Sequence, residues 1–251
     1  CLIMAKQQIL DWTIVSLRPQ GQHTAARLAV AKWQAHLCAF SIFKLVAVQN
    51  KPELTKALAS EIRIISSPSA VRFAQHSAAL SGHWLAIGQQ TADCLYAAGA
   101  SSVEIAEPQN ADGLLKMGAL QSIHGVSIGI ITAPNGRGLL EQTLVQRGAR
   151  INIAFVYKRQ ALKLNLKQLA RIDQFGPKTA ILVSSKSAFE QFWLQLSEPR
   201  KAIIKTTICI ASSTRLVEYL HTLGLSRVLC SASTLAQDQI STLAKTVLPA
   251  K

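Results

Sequence analysis

One pattern occurs twice in succession between residues 62 and 107, and it constrains the fold more than any other part of the chain. In each copy a short apolar run leads into a polar loop and then into a helical stretch. The runs cover 62–66 and 84–87, and the helices cover about 70–80 and then up to 98. A short apolar run between turn residues is typical of a strand buried on both faces. The stretch therefore predicts strand–loop–helix units of a parallel α/β sheet.

The loops of this pattern recur in the last third of the chain. Residues 184–185 repeat the serines at 66–67 at an offset of 118 residues, and Thr214 repeats Thr91 at an offset of 123. The next matches along the chain reach an offset of 125. Because this drift requires only small insertions in loops, the sequence predicts two homologous α/β halves. Ligands of open α/β sheets bind outside the carboxyl ends of the strands, where these loops lie.

The chain crosses between the halves twice, which predicts a discontinuous first domain. Extended segments at 35–48 and 150–159 flank the inserted half. The expected fold is α/β, with two similar flavodoxin-like parallel-sheet domains joined by a two-stranded β-ribbon hinge. The predicted limits are 9–40 plus 161–251 for domain 1, 49–152 for domain 2, and 41–48 with 153–160 for the connecting ribbon. Such a hinge would allow a cleft to open and close.

Two helices outside the repeated pattern are also predicted. One covers about residues 23–32 and carries Leu28 on its inner face, and a basic helix covers 162–173.

The composition restricts the class of partner. The chain has 27 basic and 13 acidic residues, and its net charge of +14 indicates either an anionic partner or a solvated basic surface. Aromatic residues are few and no nucleic-acid-binding motif is present, so nucleic acid is not the expected partner. No apolar run is long enough to span a membrane. Five cysteines without a CxxC pair indicate free thiols in a reducing cytoplasm, and the six histidines lack metal-ligand spacing.

The predicted loops offer hydroxyl groups and helix N-termini, and no nucleophile with its base is recognisable. The sequence contains no GxSxG, GxGxxG or P-loop motif. Backbone N–H groups at helix N-termini bind carboxylate or phosphate. Each hydroxyl taken alone is better explained as a helix cap, so their recurrence in both halves is what favours a binding site. Tyr157, in the predicted ribbon, is either a packed cross-strand aromatic or a hydroxyl that faces the cleft.

Several short motifs, taken in order along the chain, resemble those of the uroporphyrinogen-III synthase family. They are Arg18-Pro19, Ile65-Ser66-Ser67-Pro68-Ser69-Ala70-Val71, Ile87-Gly88-Gln89-Gln90-Thr91-Ala92, Asn135-Gly136-Arg137, Arg147-Gly148-Ala149, Val156-Tyr157-Lys158-Arg159 and Val183-Ser184-Ser185. Each motif is short, and the order and spacing of the set over nearly the whole chain give the resemblance its specificity.

The resemblance implies a hydro-lyase, one of the carbon–oxygen lyases. This enzyme would cyclise hydroxymethylbilane with inversion of ring D to uroporphyrinogen III, releasing water, in the biosynthesis of haem and sirohaem. It also implies a cytoplasmic monomer that needs no cofactor and binds neither nucleic acid nor a membrane. A linear tetrapyrrole carries eight carboxylates, and binding such an anionic substrate would account for the net charge of +14.

The resemblance also implies roles for individual residues. The hinge tyrosine, Tyr157, would be catalytic, and no metal ligand is implied. The substrate-binding set would be Arg18, Ser66, Ser67, Gly88, Thr91, Asn135, Arg137, Ser184, Ser185 and Thr214. In one departure, the second half has Ala211 where the first has Gly88, which puts a close backbone approach there in doubt.

Two other functions remain open on the sequence alone. A non-catalytic two-domain protein that binds an anionic small molecule in its cleft would share these features, and it would bind ligand without altering any product ratio. A nucleic-acid-binding protein driven by charge would show steep salt dependence of binding.

Overall fold

A computed structural model describes residues 9–134 and 138–248 of the 251-residue chain. They form two compact units: unit 1 contains residues up to 44 and from 160 onward, and unit 2 contains residues 45–159. The strands are β1 (Thr13–Ser16), β2 (His36–Ala39), β3 (Phe43–Ala47), β4 (Ile62–Ile65), β5 (Gly82–Ala86), β6 (Ala100–Ile105), β7 (Ser127–Thr132), β8 (Arg150–Phe155), β9 (Tyr157–Ala161), β10 (Thr179–Val183), β11 (Ile208–Ala211) and β12 (Val228–Cys230).

Helices connect most of these strands along the chain. They are α1 (Thr24–Lys32), α2 (Lys51–Leu58), α3 (Pro68–Gln75), α4 (Gln89–Ala97), α5 (Ala111–Lys116), α6 (Leu139–Gln146), α7 (Leu166–Ile172), α8 (Lys186–Trp193), α9 (Glu198–Thr206), α10 (Thr214–Thr222) and α11 (Ala236–Val247). A short 3-10 helix, Gly118–Leu120, follows α5.

Unit 2 contains a parallel sheet with the strand order β6-β5-β4-β7-β8. On the central strand β4, the successive residues Ile64 and Ile65 are fully buried in two different hydrophobic clusters. Because successive side chains of a strand point to opposite faces, both faces of this sheet are covered. This is the environment that the apolar run at 62–66 predicts.

Unit 1 contains a parallel sheet with the order β12-β11-β10-β1-β2. Every residue of its central strand β10 is buried. Ile181 and Val183 pack into one cluster, and Ala180 and Leu182 pack into another, so this sheet is also covered on both faces.

The two sheets are circular permutants of each other. Counted in the chain order of unit 1, its strands follow the flavodoxin order 2-1-3-4-5. In unit 2 the chain enters the same arrangement at a different strand. Numbered from β4 in chain order, the strands of unit 2 therefore have the order 3-2-1-4-5. The strands β4, β5, β6, β7 and β8 correspond to β10, β11, β12, β1 and β2. The predicted α/β class with two similar parallel-sheet halves is confirmed.

Strand register locates the insertion between the repeated halves. Ile65 pairs with Ala86 in unit 2, and the equivalent pair in unit 1 is Val183 with Ala211. The offset between the units is therefore 118 residues at the first strand of the pair, from Ile65 to Val183, and 125 residues at the second, from Ala86 to Ala211. The extra residues lie between α8 and β11, where the chain forms the whole helix α9. The expectation of a small loop insertion is wrong at this point.

The prediction of one extended segment over 35–48 is also wrong. The segment divides into β2, which pairs with β1, and β3, which pairs with β9 in a two-stranded sheet. Phe40 and Ile42 lie between β2 and β3 and are buried in the core of unit 1, so the chain is anchored there. Residues 150–159 divide similarly into β8 and β9. The boundary between the units falls within β3 and β9.

Two predicted helices differ from expectation in detail. Leu28 of α1 is 63% exposed, because the helix turns its small residues Ala26 and Ala29 toward the core. Helix α7 begins later than the predicted residue 162, since Asn165 and Gln168 form a reciprocal capping box that fixes its start.

Candidate functional site

In the sheet of unit 2 the strand order reverses between β4 and β7, because β5 and β6 are added on one side of β4 and β7 and β8 on the other. Polar side chains lie at the carboxyl ends of both β4 and β7. Ser66 follows β4, and its Oγ donates a hydrogen bond of 2.7 Å to Oγ1 of Thr132, the last residue of β7. In open α/β sheets ligands bind at such a switch point. The sequence analysis identified Ser66 but not Thr132, which ends an apolar run and carries no helix-cap signal.

Ser67 and Tyr157 come together at the same edge of unit 2. The Oγ of Ser67 accepts a hydrogen bond from the backbone N–H of Ala70 at 3.1 Å, which caps α3. The same oxygen lies 3.3 Å from the hydroxyl of Tyr157. Tyr157 is 7% exposed, and its ring stacks on Phe73 with ring centroids 5.2 Å apart. Tyr157 is therefore a packed aromatic whose hydroxyl is held by a predicted substrate-binding serine.

The N-terminus of α4 is occupied by another side chain of the protein. Gly88 is its N-cap residue, and Oε1 of Gln109 accepts a hydrogen bond from the backbone N–H of Gln89 at 3.0 Å. A Cβ atom added at Gly88 would lie 2.8 Å from that oxygen, so glycine allows the close approach. Thr91 is 4% exposed, inside the first turn. A carboxylate that bound at this helix N-terminus would have to displace the Gln109 oxygen.

The predicted residues of unit 1 lie on separate loops at the carboxyl edge of its sheet. Arg18 follows β1, and its Nη2 donates a 2.6 Å hydrogen bond to the carbonyl of Thr234. Burial lowers the pKa of Arg18 from its ordinary value, but a guanidinium stays charged. Ser184 and Ser185 follow β10, and Ser185 caps α8 through a 3.4 Å contact with the N–H of Ala188. Asn135 and Arg137, predicted for unit 2, lie outside the described residues.

The predicted equivalence of Thr91 and Thr214 is wrong. The register of the sheets sets the offset at 125, so Gly88 corresponds to Ser213, and both residues are N-caps. Thr214 corresponds to Gln89 and is exposed in the first turn of α10. Ala211 corresponds to Ala86, the last residue of β5, and not to Gly88. The alanine therefore gives no reason to doubt a close backbone approach at the position equivalent to Gly88. The local similarity of two threonines had hidden a two-residue shift.

We expect Ser213→Ala to lower the free energy of unfolding by about 1 kcal/mol, because it removes the cap of α10. The matched variant Thr214→Ala is expected to cost less than about 0.5 kcal/mol, since its exposed side chain does not cap the helix. Urea denaturation followed by circular dichroism measures both values. Equal losses in the two variants would contradict the assignment of the cap to Ser213.

A histidine that the sequence analysis did not single out is held between two hydroxyl groups in unit 1. His23 precedes α1 and is 8% exposed. Its Nδ1 lies 3.0 Å from Oγ of Ser16, and its Nε2 lies 3.0 Å from Oγ of Ser41. Burial, followed by the nearby cations Arg18 and Arg27, lowers the pKa of His23. Ser41 lies in the segment predicted as one strand, which concealed this contact.

The lowered pKa of His23 predicts a pH-dependent stability. As the pH falls, the unfolded chain takes up this proton first, so the contribution of neutral His23 is fully present above the ordinary pKa of 6.5 and declines below it. We expect His23→Gln to lose less unfolding free energy than the wild type between about pH 7 and about pH 5. The exposed His36 provides the control variant His36→Gln, which should keep the wild-type loss. Identical pH dependence in all three proteins would refute the proposed role of His23.

Within residues 9–134 and 138–248, no group of three or more His, Cys, Asp or Glu side chains is arranged to hold a metal ion. No helix in those ranges is long and apolar enough to cross a membrane. Cys38, Cys94, Cys209 and Cys230 are free thiols, and burial raises the pKa of Cys209 to about 12.

A match to a family model shows to which protein family the chain belongs. The family model described as Uroporphyrinogen-III synthase HemD matches residues 22–238. The chain belongs to the uroporphyrinogen-III synthase family. This membership assigns the chain to porphyrin biosynthesis and confirms the resemblance that the short motifs predict. The matched segment takes in parts of both units and every predicted site residue except Arg18.

Individual uroporphyrinogen-III synthases show the same relationship. The enzyme of Escherichia coli (strain K12) is 29% identical over 192 residues, which cover 70% of this chain and 75% of the relative. The enzyme of Salmonella typhimurium is 27% identical over 189 residues, with the same coverage.

Solved uroporphyrinogen-III synthase structures share the fold. The structure from Helicobacter pylori 26695 has a TM-score of 0.60 at 14% identity and covers 94% of this chain and 99% of that chain. A mutant from the extremely thermophilic bacterium Thermus thermophilus has a TM-score of 0.57 at 14% identity, with the same coverage. At this identity the likeness concerns the fold alone.

Proposed function

We propose that the chain is a uroporphyrinogen-III synthase that converts hydroxymethylbilane to uroporphyrinogen III with release of one water. The observation that carries the proposal is the family match over residues 22–238, which includes the carboxyl-edge loops of unit 2 and most of those of unit 1. The reaction classifies the enzyme as a carbon–oxygen lyase of the tetrapyrrole pathway.

The main task of such an enzyme is positioning. When the terminal hydroxyl leaves hydroxymethylbilane, the remaining azafulvene closes spontaneously at the free end of ring D and gives the type I isomer. The type III isomer requires attack by the substituted carbon of ring D, giving a spiro intermediate that fragments and recloses with ring D inverted. An enzyme that holds the rings so that the free end cannot reach the electrophile selects this route.

The carboxyl edge of unit 2 offers groups suited to a substrate with many carboxylates. Ser66, Ser67 and Thr132 supply hydroxyl groups at the ends of β4 and β7. The N-terminus of α4 at Gly88 and Gln89 supplies a backbone N–H now bound to Gln109. Hydroxyl and backbone donors bind carboxylates without strong acids or bases. For unit 1 we propose Arg18, Ser184 and Ser185 as further carboxylate ligands.

Tyr157 is our candidate for the proton donor to the departing hydroxyl. A phenol can donate a proton to a leaving group, and the 3.3 Å contact with Ser67 provides a local partner for the phenol oxygen. The stack on Phe73 fixes the plane of the ring, so the hydroxyl direction is defined by packing. Because the remaining work is positional, loss of the hydroxyl should slow the reaction without abolishing it.

Growth complementation tests the proposed function in a cell. A bacterial strain without its own uroporphyrinogen-III synthase makes only type I porphyrin and depends on supplied haem. We expect expression of this chain to restore growth without haem, with the E. coli enzyme and an empty vector as controls. Absence of growth with well-folded protein present in the lysate would favour a non-catalytic anion-binding protein.

A further inference from the structure

A cavity of about 330 Å³ lies within unit 2, beside the ring that supports Tyr157. Its lining residues are Ala47, Val48, Gln49, Asn50, Lys51, Leu54, Phe73, His76, Ser77 and Val156. We propose that this cavity binds one carboxylate-bearing pyrrole ring of hydroxymethylbilane. The inference rests on the proposed function and names a binding site for part of its substrate.

The apolar side of the cavity matches the faces of an aromatic ring. Val48, Leu54, Phe73 and Val156 supply this side. The backbone N–H of Val48 donates a 3.1 Å hydrogen bond to the carbonyl of Val156, which holds the two segments together. Phe73 stacks on Tyr157, so a pyrrole in the cavity lies next to the aromatic pair that carries the candidate proton donor.

His76 offers a hydrogen-bond acceptor for a pyrrole N–H. Its Nδ1 contacts the carbonyl oxygen of Arg72, and a carbonyl can only accept, so Nδ1 carries a hydrogen. In the neutral imidazole Nε2 is then the acceptor. Within the described parts of the chain Nε2 makes no hydrogen bond. A pyrrole donates one N–H and accepts none, which makes this free acceptor its natural complement.

Lys51 supplies the positive charge for a carboxylate arm. It is the first residue of α2 and forms no ion pair with any other residue that the structure describes. The preceding residue, Asn50, does not cap α2 through its side chain, so its amide is also available to a ligand. The acidic residue of the first turn, Glu53, is not part of the cavity lining.

The volume of the cavity limits what it can take. Ligand sites for whole drug-sized molecules span roughly 300–1,000 Å³. At about 330 Å³ this cavity is at the lower end, so it suits a single substituted ring and excludes the whole tetrapyrrole. The combination of an acceptor, a cation and an apolar face distinguishes a pyrrole acid from inorganic phosphate, which has neither a ring nor an N–H donor.

Steady-state kinetics with hydroxymethylbilane tests the inference. We expect Lys51→Gln and His76→Leu each to raise KM about five- to tenfold while kcat stays within about twofold, because these side chains hold a carboxylate arm and a pyrrole N–H equally in ground and transition states and do not contact the departing hydroxyl. The matched control Lys56→Gln changes an exposed lysine of the same helix that does not line the cavity, and it should leave KM unchanged. An unchanged KM in both cavity variants would overturn the inference.

A monopyrrole bearing one acetate and one propionate arm provides a binding test that does not depend on catalysis. In an NMR titration of the wild type, we expect it to shift the amide signals of Val48, Asn50 and Lys51, and the dimethyl ester of the same pyrrole to shift them far less. Lys51→Gln should weaken the response at least fivefold. No shift at these amides, or equal shifts with acid and ester, would overturn the inference.

The two proposals fail in different ways. If the wild type produces the type III isomer but the cavity variants behave like Lys56→Gln, the synthase function stands and the pyrrole site is wrong. If the wild type produces only the type I isomer, the proposed function is wrong, and pyrrole binding by NMR then decides whether the cavity is a site in a non-catalytic protein.

Discussion

Replacing Gly129 by alanine is expected to lower the free energy of unfolding of unit 2 by about 3 kcal/mol. Gly129 lies in β7, where α2 packs against the sheet, and an added Cβ would lie 1.9 Å from the carbonyl oxygen of Ala57. That oxygen belongs to the backbone of α2, so no side-chain rotation can relieve the clash. The helix would have to move away from the sheet, which opens the packing around Leu54.

Hydrogen exchange of the amides of β4 and β7 measures this loss for unit 2 specifically. The matched control is Gly118→Ala, since an added Cβ at Gly118 meets nothing within 4 Å. We expect the control to stay within about 0.5 kcal/mol of the wild type. If both variants had the same stability, the close packing of α2 on β7 would be refuted.

Replacing Tyr157 by phenylalanine is expected to lower kcat for type III formation about a hundredfold. The ring stays stacked on Phe73, and only the hydroxyl beside Ser67 is removed. Because spontaneous closure of the released substrate continues at its own rate, the slower variant should also give a larger fraction of type I product. Time courses with chromatographic separation of the two oxidised isomers measure the rate and the ratio together.

Tyr96→Phe is the matched control for this experiment. Tyr96 is 51% exposed, and its hydroxyl accepts a hydrogen bond from the N–H of Val103 on the edge strand β6. This variant loses a hydroxyl and a hydrogen bond in the same unit, and it should keep wild-type kcat. Full activity of Tyr157→Phe would reduce Tyr157 to a packing residue of the β9 strand.

The repeated strand–loop–helix pattern predicted most of the fold because its signal is strong in physical terms. A strand buried on both faces needs continuous apolar residues, and β10 is buried at every position. Serines at Ser67 and Ser185 predicted helix starts because their oxygens satisfy free N–H groups, and both cap their helices. The circular permutation of the two sheets followed from neither signal, since strand order depends on long-range pairing.

The errors in the sequence analysis arose where a local residue pattern was used to infer structure beyond a single strand or loop. The segment 35–48 reads as one strand because the residues between β2 and β3 are as apolar as those within them. In the structure Phe40 and Ile42 are core residues of the connection between β2 and β3, and they are apolar for that reason. The same error hid Ser41, which binds His23. The two-residue shift at Thr214 had a similar origin, because one shared residue type outweighed the register of the strand before it.

The candidate site was only partly predictable. Hydroxyl residues that cap helices were recognised from their positions, whereas partners contributed by other strands were not. Thr132, at the end of β7, contacts Ser66, and Gln109 accepts a hydrogen bond from the N–H of Gln89 beside Gly88. Neither partner carries a cap signal that would reveal the contact. The cavity between Lys51 and His76 joins segments 25 residues apart, and no sequence spacing reveals that they meet.

The isomer produced from fresh hydroxymethylbilane tests the central claim most directly. The purified protein is incubated with the substrate, the products are oxidised to porphyrins, and the type I and type III isomers are separated by chromatography. We predict mostly type III isomer, with a fraction that rises with enzyme concentration and needs no added cofactor. Only type I isomer, formed at the spontaneous rate at every protein concentration, would contradict the assignment of synthase activity to this chain.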